Sequence, residues 1–243
     1  MSKKVIRGNV FETNSSSQHA CCVTTNDTHV THEELMGDEY TDETLWIHDD
    51  GRLYLYDVAE GFGRWPFKIL TSFRDKLKYA LCEYLGGFYG DEPEYERTLE
   101  WIKGIVKEVV PEFTDFDMRK KCIGIYYDED GNILTHDKLD YSRYDEETGE
   151  SVYIYKDENG NDVEATFDWN HVKKVFDIGS IDHQSVGLLR GFLEKKGIDL
   201  KEFLTNKRFL VVIDGDEYND LNRYIKSGII DMKFVQEIYP KRE

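Results

Sequence analysis

The chain has 243 residues, of which 40% are hydrophobic and 14% aromatic, enough to build a buried core and too aromatic for a wholly disordered protein. With 49 acidic against 31 basic residues the formal net charge is −18, a sign that argues against direct binding to nucleic acid or to an anionic membrane. No run approaches the roughly 18 uncharged apolar residues that span a bilayer. The first residues also lack the apolar core of a secretory signal, so a cytoplasmic protein is expected.

In chain order, Val5 to Thr13 reads as a strand and Ala20 to Thr25 as a second, joined by Asn14 to Gln18. The stretch TLWIHDDGRLYLYDV suggests a hairpin whose Asp50-Gly51 pair supplies a turn with positive φ. Two helices follow. Leu70, Phe73, Leu77, Ala80, Leu81 and Tyr84 recur at helical spacing in the first, and Tyr95, Leu99, Ile102, Val106 and Val109 in the second. Pro93 and Pro111 bracket the second helix.

From Ile123 onward the pattern alternates apolar and polar residues and is broken at Asp130-Gly131, Thr148-Gly149 and Asn159-Gly160, which predicts hairpins with glycine-bearing turns. No repeat of 20 to 50 residues stands out. Between Asp128 and Asp168 lie fourteen carboxylates against Lys138, Arg143 and Lys156, so this window alone carries −11. The last third reads as a helix over DHQSVGLLRGFLEKKG, with Val186, Leu189 and Leu193 on one side and Gly197 at its end. An apolar strand, Phe209 to Ile213, suits the centre of a sheet. A short helix over EYNDLNRYIKSG and a strand from Met232 to Ile238 complete the chain.

The expected fold class is α+β, a mixed or antiparallel sheet packed by helices with an acidic β-hairpin region in the middle. Three ranges are expected: an N-terminal α+β region over 1–121, the acidic hairpins over 122–170, and a C-terminal αβ region over 171–243 that could pack with the first as one domain.

Several stretches could carry chemistry. A turn made of Asn14, Ser15, Ser16 and Ser17 exposes successive N–H groups and hydroxyls that can hold a phosphate or carboxylate, with Arg7 and His19 near in sequence. Ser16 as a nucleophile with His19 as its base is a second reading. A plain turn held by side-chain bonds to the local backbone is the third. Asp182, His183 and Ser185 surround a helix start, where Asp182 would cap the helix or His183 would act as an acid–base group facing the serines. Asp214 and Asp216, at a strand end, are a weak alternative for a metal; otherwise neither metal nor cofactor is expected. Cys21, Cys22, His29 and His32 do not suit zinc, because adjacent strand residues point to opposite faces. The four cysteines, which include Cys82 and Cys122, read as thiols in a reducing compartment. GFGRWPF lacks the later acidic partner of a dinucleotide loop.

Three stretches in order, RGNVFETNSSSQH, GFGRW with LTSFRDKLKYAL, and DHQSVG, resemble a broad group of proteins encoded by bacteriophages, prophages and Gram-positive bacteria. That group carries an F-E-T-N-S-S-S-x-H-type motif, a G-E-F-G-W-type segment and a D-H-x-S element. Here Phe62 follows Gly61 in place of an acid, and Arg64 separates Gly63 from Trp65. The resemblance implies a phage-type origin in a bacterial cytoplasm and a shared pocket built from Asn14, Ser15, Ser16, Ser17, His19, Asp182, His183 and Ser185. It does not imply a particular activity, and whether the chain is an enzyme stays open. The leading expectation is an inhibitor that presents Asp128, Glu129, Asp130, Asp145, Glu146, Glu147, Glu150, Asp157 and Glu158 to a basic host protein in imitation of nucleic-acid phosphates. Such a target would itself bind nucleic acid, as RNA polymerase, a nuclease or a defence complex does. The alternative is a nucleotide- or phosphate-binding enzyme using the Asn14–Ser17 turn, His19 and the Asp182-His183-Ser185 element.

Overall fold

The computed structural model describes residues 18–37, 44–63, 67–144, 151–214 and 235–240. In chain order its strands are β1 (Gln18–Thr24), β2 (Arg52–Tyr54), β3 (Lys68–Leu70), β4 (Asp115–Asp117), β5 (Lys120–Tyr127) and β6 (Ile133–Leu134). They continue with β7 (Asp140–Tyr144), β8 (Ser151–Lys156), β9 (Asp162–Glu164), β10 (Thr166–Phe176), β11 (Phe209–Asp214) and β12 (Val235–Pro240). The helices are α1 (His32–Leu35), α2 (Phe73–Leu85), α3 (Pro93–Val109), α4 (Leu188–Lys196) and α5 (Leu200–Thr205). This is an α+β fold with antiparallel sheets packed against helices, and no helix among the described residues is long and apolar enough to cross a membrane.

The chain divides into two compact units, one of residues 1–44, 62–79 and 181–243 and another of 45–61 and 80–180. The ranges expected from the sequence cut across this division, because 45–61 and the helices' residues from Ala80 onward group with the hairpins. The first unit is built on an antiparallel sheet in the order β12-β1-β11-β3, so the FLVVI strand is internal, as its unbroken apolar run requires. Cys21 and Val23 lie opposite Val211 and Phe209, and Phe192 and Phe203 of α4 and α5 pack on Phe209. Ala20, Cys22 and Val212 form the core of the other face with Phe67, Ile69 and Leu210.

In the second unit β5 pairs with β10 and with β6, while β7, β8 and β9 form a meander. Leu134, Tyr155 and Ala165 join these two sheets through a core completed by Tyr126, Leu139, Tyr153 and Val163. The α3 periodicity holds, with Tyr95, Leu99, Ile102 and Val106 buried and Pro93 in the first turn. The Asp50-Gly51 turn forms with Gly51 at φ 84°, but its arms share a single bridge, Ile47 to Leu53, and Tyr56–Glu60 is a 3-10 helix.

Three expectations are corrected. Leu70 lies on β3, not on the helix, because Lys68–Leu70 pairs with β11. The helix expected from Asp182 begins at Leu188, after a left-handed Gly187, so Asp182 caps no helix and Val186 is exposed. The last strand runs on to Pro240, beyond the expected Ile238, while residues 232–234 lie outside the described residues. The strand expected over Val5 to Thr13, the Thr148-Gly149 turn and the helix over EYNDLNRYIKSG lie outside the described residues.

A local repeat also emerges. The segments GIYYDEDGNIL and YIYKDENGNDV, twenty-nine residues apart, form two hairpins with matching loops. In each, the aspartate Oδ1 accepts N–H bonds from two residues and from four residues on, and its Oδ2 accepts the amide of the closing asparagine, Asn132 or Asn161. Gly131 and Gly160 supply φ near 80° in both. The likeness spans only the two loops and their flanks, too little to register as a repeat period.

Candidate functional site

The first site is assembled from the three sequence stretches of the resemblance. β1 starts at Gln18, so His19 is its second residue and points to the face shared with Cys21 and Val23. The side chain is 3% exposed, and its Nδ1 shares a 3.0 Å hydrogen bond with the hydroxyl of Tyr79 on α2. The His19 backbone N–H donates to Ser185 Oγ at 3.3 Å. Tyr79 packs in turn on Phe62, with ring centroids 5.2 Å apart. Phe62 forms a parallel bridge with Ile181, and its carbonyl accepts the N–H of Asp182.

Why the backbone can run so close here is visible just upstream. A Cβ on Gly179 would stand 2.3 Å from Gly61 N and Cα, and a Cβ on Gly61, itself at φ 66°, would stand 2.6 Å from the Ser180 carbonyl. Only glycine fits both positions. Gly61 of GFG and Gly179 of DIGS therefore serve close packing of two chain segments.

Burial pushes the His19 imidazole down to about pKa 4, against an opposing pull from the Asp182 carboxylate. The ring is therefore neutral at pH 7. Asp182 and Ser185 are also buried; the Asp182 carboxylate accepts the Gln184 N–H at 3.0 Å and its carbonyl the Ser185 N–H at 2.8 Å. His183 points outward with 69% of its side chain exposed, and its Nδ1 lies 3.6 Å from Asp182 Oδ1. The structure thus brings His19, Asp182 and Ser185 together and leaves His183 at the surface. The Ser185 hydroxyl meets His19 at its backbone N–H, while the ring bonds Tyr79; Ser16, the serine expected as nucleophile, falls outside the described residues. Arg7, Asn14, Ser15, Ser16 and Ser17 lie outside the described residues.

A cavity of about 800 Å³ lies elsewhere in the same unit, around Thr24 and the start of α2. Thr24 is five residues along β1 from His19, roughly 16 Å at about 3.3 Å per residue, and His19 does not line the cavity. Among the described residues six hydroxyl side chains do: Thr24, Thr25, Thr44, Thr71, Ser72 and Thr205. Lys76 lies in its wall, 1% exposed, with Nζ donating to the carbonyls of Phe203 (2.8 Å) and Asn206 (3.0 Å). Burial drives its pKa down to about 7, with Glu202 acting in the opposite direction. Sequence reasoning missed Lys76 and Tyr79. Both sit on a helix whose charged residues read as a solvent face, yet Arg74, Lys76, Lys78 and Glu83 are all buried.

The third element is the acidic hairpin module. Asp128 and Asp157 are held by their own loops, and these hydrogen bonds draw both carboxyls below the usual range. Glu129, Asp130 and Glu158 are exposed at the loop tips, while Asp145, Glu146, Glu147 and Glu150 lie outside the described residues. The Glu129 N–H donates to the Tyr155 hydroxyl at 3.1 Å, which ties the first loop to the second hairpin.

Asp214 closes β11, and Asp216 lies outside the described residues. No group of three metal-ligating side chains occurs among the described residues. Cys21 and Cys22 face Val211 and Leu210 on opposite sides of the sheet, and burial raises the Cys22 thiol to about 12. His29 is occupied by Glu202 at 2.8 Å. The chain matches no family model, no curated protein and no solved structure.

Proposed function

We propose that the chain is an acidic, phage-type protein that binds and inhibits a host nucleic-acid-binding protein by offering nucleic-acid-like charge from its hairpin module. The observation that carries this reading is the state of the exposed carboxylates. Glu129, Asp130, Asp140, Glu158 and Glu164 stand on hairpin strands and loops and Asp137 on the 3-10 turn between β6 and β7, and no lysine or arginine among the described residues pairs with them. A solubilising acidic stretch needs no such scaffold; here tyrosine packing and loop hydrogen bonds hold the acids in place.

Lys156 pairs with Asp162, but four other lysines of the unit stand away from this charge. Lys120, Lys121, Lys173 and Lys174 gather at the far end of the β5–β10 ladder. That end is roughly 20 Å from the Asp128 loop, beyond the ~8 Å screening length at physiological salt. A basic channel shaped for a duplex, with one negative charge per ~1.7 Å of axis, is the kind of surface such an array fits. The resemblance to phage-encoded proteins supports a target in the bacterial cytoplasm.

The test is capture from a bacterial lysate by the full chain, at low and high salt and with competing duplex DNA. Capture of a nucleic-acid-binding protein should fall steeply with salt and with DNA, and should be lost when Glu129, Asp130 and Glu158 are changed to their amides. Capture indifferent to salt, or retained by the amide variant, overturns the reading. The enzyme reading draws less support from the His19 cluster, whose histidine is buried and neutral at pH 7 and bonds Ser185 through its backbone N–H.

A further inference from the structure

One side of the β5–β10 ladder is open to solvent. The register pairs Lys120 with Phe176, Cys122 with Lys174 and Gly124 with Val172, so these six residues share a face. Ile123 and Val175 turn the other way and are buried, and Lys173 beside them meets Glu96 of α3 at 3.5 Å. On the open face Lys120, Cys122, Val172 and Lys174 are all exposed, Val172 to 52%. Lys120 Nζ lies 5.3 Å over the Phe176 ring, a contact that leaves its charge uncancelled. Among the described residues neither Lys120 nor Lys174 has an ion pair, although the chain holds 49 acidic against 31 basic residues.

Lysines on an open ladder guard it against the addition of foreign strands. That role accounts for their charge, but not for the bare Val172 and Cys122 beside them. The opposite end of the same ladder carries the complement. Glu129, Asp130 and Glu158 are exposed on the loop tips without a basic partner among the described residues, and Ile133, next to the first loop, is 59% exposed. One compact unit thus presents a cationic face with apolar side chains and, roughly 20 Å away at about 3.3 Å per residue, an anionic tip with an apolar side chain.

From this complementarity we infer that the open β5–β10 face is a self-association surface whose occupant is the hairpin tip of a second copy. Ile133 of one copy rests on Val172 and Cys122 of the next, while its tip carboxylates meet Lys120 and Lys174. Exposed ion pairs alone contribute little, so the apolar side chains supply the buried area and the charges set the orientation. The net charge of −18 repels copies at a distance, but charges more than ~8 Å apart are screened at physiological salt, and at contact the neighbouring charges decide. Face and tip are different surfaces, so the contact is heterologous and runs head to tail. A face two strands wide makes it weak and reversible. The inference rests on the tip carboxylates of the proposed function but on no host target, and a tip seated on another copy is withheld from a partner.

Sedimentation velocity of the full chain over a concentration series tests it. Alkylation of Cys122 serves as a footprint of the face, because the other three thiols are buried. Association should proceed beyond a dimer and slow the alkylation of Cys122, and raising salt from about 0.1 M to about 0.5 M should weaken it about tenfold. A face variant, Lys120→Gln with Lys174→Gln, and a tip variant, Glu129→Gln with Asp130→Asn and Glu158→Gln, should each associate about tenfold more weakly than the parent. Mixed together, the intact tip of the first should seat on the intact face of the second and stop at a one-to-one pair. The face variant keeps its carboxylates, so its capture of a host protein from a lysate should equal or exceed the parent's; that arm tests the proposed function separately from self-association. A parent that stays monomeric up to about 0.5 mM at both salt concentrations overturns the inference. So does association indifferent to salt, a face variant that associates like the parent, or a mixture that does not pair.

Discussion

The two units handle charge in opposite ways. Around β1 and α2, ionisable side chains are buried, and protein atoms specify what each one bonds. His19 meets the Tyr79 hydroxyl, Lys76 meets two carbonyls, and Lys78 meets Asp75 at 2.9 Å. In the hairpins the carboxylates are exposed, and those that are fixed are fixed by their own loop amides. For His19 and Lys76 burial sets the protonation state and moves it from its ordinary value. For Asp128 and Asp157 local hydrogen bonds set it and favour the charged form. The same substitution should therefore have different consequences in the two places.

Alanine for glycine gives the widest contrast. Gly61→Ala meets the Ser180 carbonyl at 2.6 Å and a left-handed backbone at once, and should cost ~3 kcal/mol or more. Gly160→Ala has a similar φ but nothing within 4 Å of the new Cβ, and should cost only ~1 kcal/mol. Urea unfolding of both variants measures the difference. Equal losses would mean that the close approach of Gly61 and Gly179 does not hold the segments leading to Phe62 and Asp182.

The next effect in size is acid sensitivity of the buried histidine. Its folded pKa of about 4 lies below the ordinary value of 6.5, so the unfolded chain binds a proton first as pH falls. The stability of the neutral form is complete above pH 6.5 and is lost progressively down to about pH 4. Its slope approaches ~1.4 kcal/mol per pH unit inside that window, or about 3 kcal/mol in all. Unfolding free energies at pH 7, 6 and 5 should show this slope in the parent and a flatter one in His19→Asn. Tyr79→Phe should cost less, ~2 kcal/mol at pH 7, because it removes one partner from a buried ring nitrogen. A loss below ~0.5 kcal/mol would show that the hydroxyl is replaceable there.

How much of this was legible beforehand follows from the range of the interactions involved. The hairpins declare themselves locally, since alternation and D-G or N-G turns are short-range signals, and the turns at Gly131 and Gly160 form where expected. α3 is legible for the same reason. α2 misleads because its lysines and arginine read as a wet face, whereas tertiary packing buries them and, for Lys76, supplies partners far along the chain in Phe203 and Asn206. The meeting of His19 with Ser185 spans 166 residues and has no local signature. It was reachable only as a conditional, through the co-occurrence of polar motifs. Leu70 reads as helical because a strand of three residues carries no period of its own, and only its pairing with β11 defines it.

The smallest effect sharpens the comparison from the hairpin side. Asp157 holds its loop through the N–H groups of Asn159 and Asn161 and the amide of Asn161, all exposed to water that can replace it. These bonds keep its carboxyl below the ordinary range, so its contribution is present above the unfolded pKa of about 3.8 and is lost as pH falls through the depressed folded value. Asp157→Ala should leave the melting temperature nearly unchanged while amide exchange at Asn159 and Asn161 becomes faster. The equivalent change at Asp128 should do the same at Asp130 and Asn132, because the two loops share one hydrogen-bond pattern. If either substitution unfolded the module globally, the loop aspartates would belong to its core framework. The division between buried charge fixed by tertiary contacts and exposed charge fixed by its own loop would then fail where it is most directly tested.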